Sequence, residues 1–260
     1  MTCEEILEKL EQLSPSSFAM DWDNSGFLVG DRKKEVRRVL IAVDATKEVI
    51  QEAIDKNADF ILTHHPMIFK PVKRVTKDDV LGEKIMLLCE HGIGLCCMHT
   101  NFDVMGMADA AADLLRLKDR EVLEKTYEDD VSQEGIGRTG KLTEHMKLDD
   151  FAAFVKSAFH LEQVRVYGDP DDTVVTCAVL PGSGKDEIDL AIAAGADVMV
   201  TGDVNHHAGL DAVEKGIDLI DAGHYGVEKL FVPYMEDYLH RNLPSLETIA
   251  APEGEPCRLI

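Results

Sequence analysis

Aromatic residues are scarce. One tryptophan, five tyrosines and nine phenylalanines make up 6% of the 260 residues, so aliphatic side chains must form the core. Basic residues are outnumbered, 27 against 49 acidic ones, for a formal charge of -22. That charge opposes any surface that works by neutralising phosphate, such as one for duplex DNA or an anionic membrane. No apolar run approaches the roughly 20 residues that a bilayer-spanning helix needs. The N-terminal stretch is acidic and amphipathic, unlike a secretory signal. Cys3, Cys89, Cys96, Cys97, Cys177 and Cys257 include no C-x-x-C pair, and Cys96 and Cys97 sit in an apolar run as buried free thiols. Gly182-Ser-Gly184 is too short for a phosphate-gripping loop and lacks its hydroxyl. A Gly-x-Ser-x-Gly elbow is missing, and no cysteine has an obvious partner for nucleophilic catalysis. A cytoplasmic protein without membrane or duplex-nucleic-acid partners is expected.

Hydrophobic residues make up 45% of the chain, enough for a substantial core. Thr2 and Glu5 have capping-box spacing and open a helix whose apolar stripe is Ile6, Leu7, Leu10 and Leu13. Met20 to Gly30 is rich in turn formers and reads as a loop leading into a strand.

The chain then repeats itself. A strand at Val39–Val43, a helix over Lys47–Lys56 and the strand Ala58-Asp-Phe-Ile-Leu-Thr63 end at His64. The later copy has a strand at Val174–Leu180, a helix over Lys185–Ala194 and Ala196-Asp-Val-Met-Val-Thr201, ending at Gly202-Asp203. Each copy continues with a helix and a strand bearing Gly-Ile-x-Leu, at Gly92–Leu95 and Gly216–Leu219. Each then presents a histidine with an acid four positions on: His99 and Asp103, His224 and Glu228. Tandem duplication of a βαβαβ-type unit accounts for this, with mostly parallel strands and ligands at their carboxyl ends. The expected fold class is α/β, with two similar α/β/α domains. The first domain is expected over 1–125, completed by 226–260, and the second over 126–225. The charged stretch 117–150 between the copies reads as a hairpin-bearing connection.

The chemistry-bearing residues all fall at those strand ends. Adjacent side chains diverge at a strand end, so His64 and His65 could serve two metals rather than chelate one. Imidazole and carboxylate together suit Zn, Mn, Fe or Ni. A carboxylate such as Glu228 can bridge two cations by giving one oxygen to each. Asp44 and Thr46 follow the first strand, where either helix capping or a hydrogen bond to a ligand histidine fits. Asp203 and His206 fit either capping and exposure or the orienting of a metal-bound histidine and proton transfer. Trp22-Asp-Asn-Ser-Gly26 could line a substrate pocket through Trp22 and Asn24, or staple the first helix to the sheet.

These motifs resemble, over essentially the whole chain, the Nif-three-like dinuclear metal centre family, many of whose bacterial members are named GTP cyclohydrolase 1 type 2 homologues. The resemblance rests on Trp22-Asp-Asn-Ser-Gly26, Asp44-x-Thr46, Thr63-His-His-Pro66, His99-Thr-Asn-x-Asp103, Gly137-Arg-x-Gly140, Thr201-Gly-Asp203 with His206, and Gly223-His-Tyr-x-x-Glu228. It implies that His64 and Asp103 bind one divalent metal, that His65 and His224 bind the other, and that Glu228 bridges them. His99 would lie close by without a firm ligand role. The resemblance further implies a toroidal homohexamer and a nucleotide or other small-molecule substrate, GTP being opened with release of formate. A non-enzymatic regulatory or protein-interaction assembly is the alternative. Longer relatives carry an inserted domain for which this chain is too short. Val227 departs from the threonine common before the bridging glutamate.

Overall fold

The computed structural model describes residues 1–252 and 254; Cys257 lies outside them. Two compact units are present. The first is Met1–Phe102 together with the described residues from Phe231 onward, and the second is Asp103–Leu230.

The first unit opens with helix α1 (Cys3–Leu13), whose capping box is closed in both directions. The Glu5 amide donates to the Thr2 hydroxyl at 3.3 Å, and the Thr2 amide donates to the Glu5 carboxylate at 2.6 Å. Then follow β1 (Gly26–Val29), β2 (Arg38–Ala42), α2 (Lys47–Asp55), β3 (Phe60–Thr63), α3 (Val80–His91), β4 (Gly94–Cys97) and the single turn α4 (Thr100–Phe102). The second unit starts with a π-helical turn, Asp103–Met107, and α5 (Ala108–Leu114). It continues through β5 (Lys118–Glu128), β6 (Gln133–Lys147), α6 (Leu148–Ala158), β7 (Arg165–Tyr167), β8 (Thr173–Ser183), α7 (Ile188–Ala193), β9 (Val198–Gly202), α8 (His206–Lys215), β10 (Asp218–Asp221) and α9 (His224–Glu228). The chain returns to the first unit with α10 (Phe231–Asn242) and β11 (Glu247–Ala250).

The first sheet runs β1-β4-β3-β2-β11, parallel except for β1 at the edge. Every residue of β3 and β4 is buried, as the unbroken apolar runs of covered parallel strands require. Phe60, Ile61 and Leu62 have no exposed surface, and each contributes about 1.5–3 kcal/mol by burial. The second sheet runs β5-β6-β8-β9-β10-β7. Only β8, β9 and β10 are parallel there, because the long β5–β6 hairpin and β7 add antiparallel strands from outside the repeat. The stretch expected as a connection is therefore part of the sheet. Residues 103–125 and 226–230, grouped with the first domain on sequence, pack in the second unit, since β5 pairs along β6 and α9 lies on β8 and β9.

The two repeats share details that a chance likeness would lack. Helices α3 and α8 both stop at a left-handed glycine, Gly92 (φ 64°) and Gly216 (φ 87°). Asp59 accepts the amides of Arg37 and Arg38 at 2.8 and 3.2 Å, and Asp197 accepts those of Val175 and Thr176 at 2.9 and 2.8 Å. In each copy one aspartate thus ties the entry of the second strand to that of the first.

Candidate metal centre

Strand register decides which residues meet at the carboxyl edge of the first sheet. Ala42 pairs with Thr63, and Thr63 with Cys97, so Asp44, His64, His65 and His99 emerge within two residues of one level. His64 is fully buried and donates from Nδ1 to the Met98 carbonyl at 2.8 Å. His65 donates from Nδ1 to Asp44 Oδ1 at 2.9 Å, and His99 donates from Nδ1 to Asp23 Oδ1 at 2.8 Å. Helix α2 is capped instead by Thr46, whose hydroxyl accepts from the Val49 amide at 3.2 Å. Centroids of the three rings lie 4.9 to 5.5 Å apart, and each ring offers a nitrogen within 4.8 Å of the other two.

Asp23 anchors this group from the preceding loop. Burial would raise its carboxyl pKa, but hydrogen bonds from His99, Ser25 and Thr100 outweigh burial and hold it well below the ordinary carboxylate range. Trp22 packs edge-on to His99 with ring centroids 6.0 Å apart. The Asn24 side-chain amide donates to the Ile68 carbonyl at 2.6 Å, pinning the loop that follows Pro66.

In the second unit, Thr201 pairs with Asp221, so Asp203 and His224 leave β9 and β10 at one level. His224 donates from Nδ1 to Asp203 Oδ2 at 2.8 Å. Its Nε2 lies 3.2 Å from Glu228 Oε2, four residues along α9. Asp203 has φ 58°, a left-handed conformation that aspartate tolerates better than most residues. Helix α8 is capped by Asn205 rather than Asp203, through the Ala208 amide at 3.0 Å. His206 is the exposed first residue of α8, edge-on to His207 and outside this pair's hydrogen bonds. Glu228 is buried, and Gly182 (φ 82°) makes room for it: a Cβ there would stand 2.6 Å from Glu228 Oε1. Gly202 plays the same part for His224, whose backbone nitrogen would lie 2.5 Å from its Cβ. Asp103 begins the π-helical turn, a distortion that often marks functional positions.

The donors suit a borderline cation. Four histidines are each tied at Nδ1 to an acceptor, which leaves every Nε2 as the lone-pair nitrogen, the usual support of a metal-bound imidazole. A cation beside His224 also reconciles that lone pair with the neighbouring carboxylate. Nitrogen with carboxylate oxygen fits Zn, Fe, Mn or Ni. Burial pushes the Cys97 thiol up to about 12 and the Cys3 thiol up to about 11. Sequence reasoning quoted Asp23, Gly182 and Gly202 within short motifs but gave them no such role, because their partners lie 76, 46 and 22 positions away.

Among the described residues, no helix is long and apolar enough to cross a membrane. The sequence model of the Duf34/NIF3 (NGG1p interacting factor 3) family matches residues 1–256. A Clostridium acetobutylicum protein named GTP cyclohydrolase 1 type 2 homolog is 38% identical over 221 residues, covering 84% of this chain and 82% of its own length. A Clostridium perfringens protein of the same name is 35% identical over 230 residues, covering 88% and 87%. Among solved structures, a Bacillus cereus protein related to NIF3 superposes with a TM-score of 0.94 at 27% identity, over 100% of this chain and 99% of that one.

Proposed function

The chain belongs to the Duf34/NIF3 family, and from that premise we propose that it is a dinuclear metal-dependent hydrolase acting on a heterocyclic small molecule. GTP is the substrate named by its relatives, and ring opening with release of formate is the reaction we assign. In this reading His64 and Asp103 would hold one divalent cation, His65 and His224 would hold the second, and Glu228 would serve both. Cations so held supply Lewis acidity and lower the pKa of water. The observation that carries the reading is the set of four histidines each held at Nδ1 by an acceptor, the tautomer in which Nε2 carries the lone pair that a ligand or base needs.

The protein's own groups have distinct tasks. Asp44 and Asp203 orient His65 and His224, and the Met98 carbonyl orients His64. His99 Nε2, backed by Asp23, takes up and returns the proton of the attacking water. We further assign a cytoplasmic homohexamer, the assembly expected from the family resemblance.

The test is metal content per chain together with formate release from GTP. Two ions with turnover, both lost in His65→Ala and Glu228→Ala folded to the wild-type circular dichroism spectrum, is the expected result. Two ions without formate from GTP would discard the reaction and favour the non-enzymatic assembly. Wild-type metal content in both variants would remove the ligand set.

A further inference from the structure

The loop between His65 and α3 carries a charge opposite to that of the protein. From Pro66 to Lys77 it holds Lys70, Lys73, Arg74 and Lys77 and no acid, in a chain with 27 basic and 49 acidic residues. Lys77 pairs with Glu90 at 3.3 Å. Lys70, Lys73 and Arg74 are exposed and form no ion pair among the described residues.

The same loop displays an aromatic side chain. Phe69 meets Trp22 with ring centroids 5.9 Å apart, yet Phe69 is 47% exposed and Trp22 is 61% exposed. The two rings are contiguous, and an exposed apolar patch rimmed by polar residues is a feature of ligand-binding surfaces. The geometry around them is held. Met67 and Ile68 pack on the core, the Asn24 amide grips the Ile68 carbonyl, and Thr76 lies against Gly82 at the start of α3. Trp22 in turn abuts His99, whose ring centroid is 5.5 Å from that of His65.

We propose that Trp22 and Phe69 form a stacking platform for the planar ring of a phosphorylated heterocycle, and that Lys70, Lys73 and Arg74 take its phosphates. This rests on the function proposed above and identifies the residues that select the substrate. A ring stacked on Trp22 lies beside His99, the side chain assigned to proton transfer. Single-stranded nucleic acid has the same chemistry, but a polyanion longer than the loop would run onto a surface of strongly negative net charge. A small ligand meets only the loop.

Trp22 is the sole tryptophan beside five tyrosines, so fluorescence of the full chain excited selectively at tryptophan reports the platform. Titration with GTP, ATP, inorganic triphosphate and a short single-stranded oligonucleotide tests the proposal. Both nucleotides should quench Trp22, while inorganic triphosphate should compete with them without quenching. Phe69→Ala should weaken nucleotide binding about tenfold, the scale of one lost stacking partner. The triple variant Lys70→Ala, Lys73→Ala, Arg74→Ala should weaken it at least as much and flatten its salt dependence. Circular dichroism and metal content should be unchanged in both.

Unchanged quenching in both variants would overturn the platform. So would tighter binding of the oligonucleotide than of GTP, or a change in assembly size in Phe69→Ala without any nucleotide quenching in wild type. Failure of the reaction reads differently: quenching persists and responds to the variants, yet no formate appears. Conversely, formate release with wild-type KM in both variants would keep the reaction and reject the platform.

Discussion

The two repeats use the same strand ends for different chemistry. In the first copy the carboxyl edge collects three imidazoles, His64, His65 and His99, each backed by its own acceptor. In the second copy the matching edge offers one imidazole, His224, beside a buried carboxylate on the same helix. The connections differ too. Residues 64–79 separate β3 from α3 and carry the basic, aromatic loop, whereas residues 203–205 suffice between β9 and α8. Duplication supplied two equivalent edges, and side-chain substitution made one rich in nitrogen and the other rich in oxygen charge. The dinuclear centre proposed above calls for both kinds of donor, because neutral imidazoles alone leave the repulsion between two cations uncompensated.

The largest test of that contrast removes charge from one half and a ring from the other. Glu228→Gln keeps size and hydrogen bonding but loses the negative charge. It should lower metal affinity by more than the ~100-fold typical of losing a mere supporting contact. His99→Gln should keep both ions and lose turnover, about 10²–10⁴-fold for a missing acid–base group. Metal analysis and formate release on the two proteins separate these outcomes. Equal metal loss in both would erase the division of labour.

How far the sequence showed this varies by residue. The repeats were visible because Ala58-Asp59 and Ala196-Asp197 open buried strands whose apolar runs need no tertiary context to be read. His64 and His65 stand directly after the first of those strands, and His224 and Glu228 follow the next strand of the second copy, so topology alone placed them at a carboxyl edge. Helix caps were harder. Asp44 and Asp203 fitted either capping or a hydrogen bond to a histidine; Thr46 and Asn205 take the caps, and both aspartates bond histidines. A cap is chosen among neighbours a residue or two apart, and local spacing does not rank them. The loop 66–77 was passed over because net charge is a sum: three open cations vanish in a total of -22. The second unit's claim on residues 103–125 was hidden because sheet partnership is a long-range choice, made by β5 with β6 and not by β5 alone.

A smaller effect sharpens the contrast at its glycines. Gly182 and Gly195 both have positive φ, 82° and 75°, but only Gly182 faces Glu228; around Gly195 nothing lies within 4 Å. Alanine at either costs about 1–2 kcal/mol of backbone strain. Gly195→Ala should therefore lose stability in urea and keep its metal. Gly182→Ala should lose similar or greater stability and also release metal, because the new methyl displaces the carboxylate. If Gly182→Ala keeps full metal content, the glycine serves only the turn.

An effect on stability alone lies at the opposite end of the strands, where Gly-Ile-Gly94-Leu of the first copy becomes Gly-Ile-Asp218-Leu in the second. Gly94 lies against the Phe60 ring, an apolar contact. Asp218 is buried where no side chain fits at Gly168, and burial, with Asp172, Asp197 and Asp169 nearby, raises its pKa to about 6. Between about pH 4 and pH 6 the folded chain therefore keeps a proton that the unfolded chain gives up. Stability contributed at this position falls as pH rises through that window, and the penalty stays in full above it. Asp218→Asn removes the ionisation and should stabilise the protein by about 1–3 kcal/mol near pH 8, with little change near pH 4. Urea unfolding at the two pH values reads the difference. A gain that is equal at both would mean that packing, and not the buried charge, separates the second copy from the first at this position.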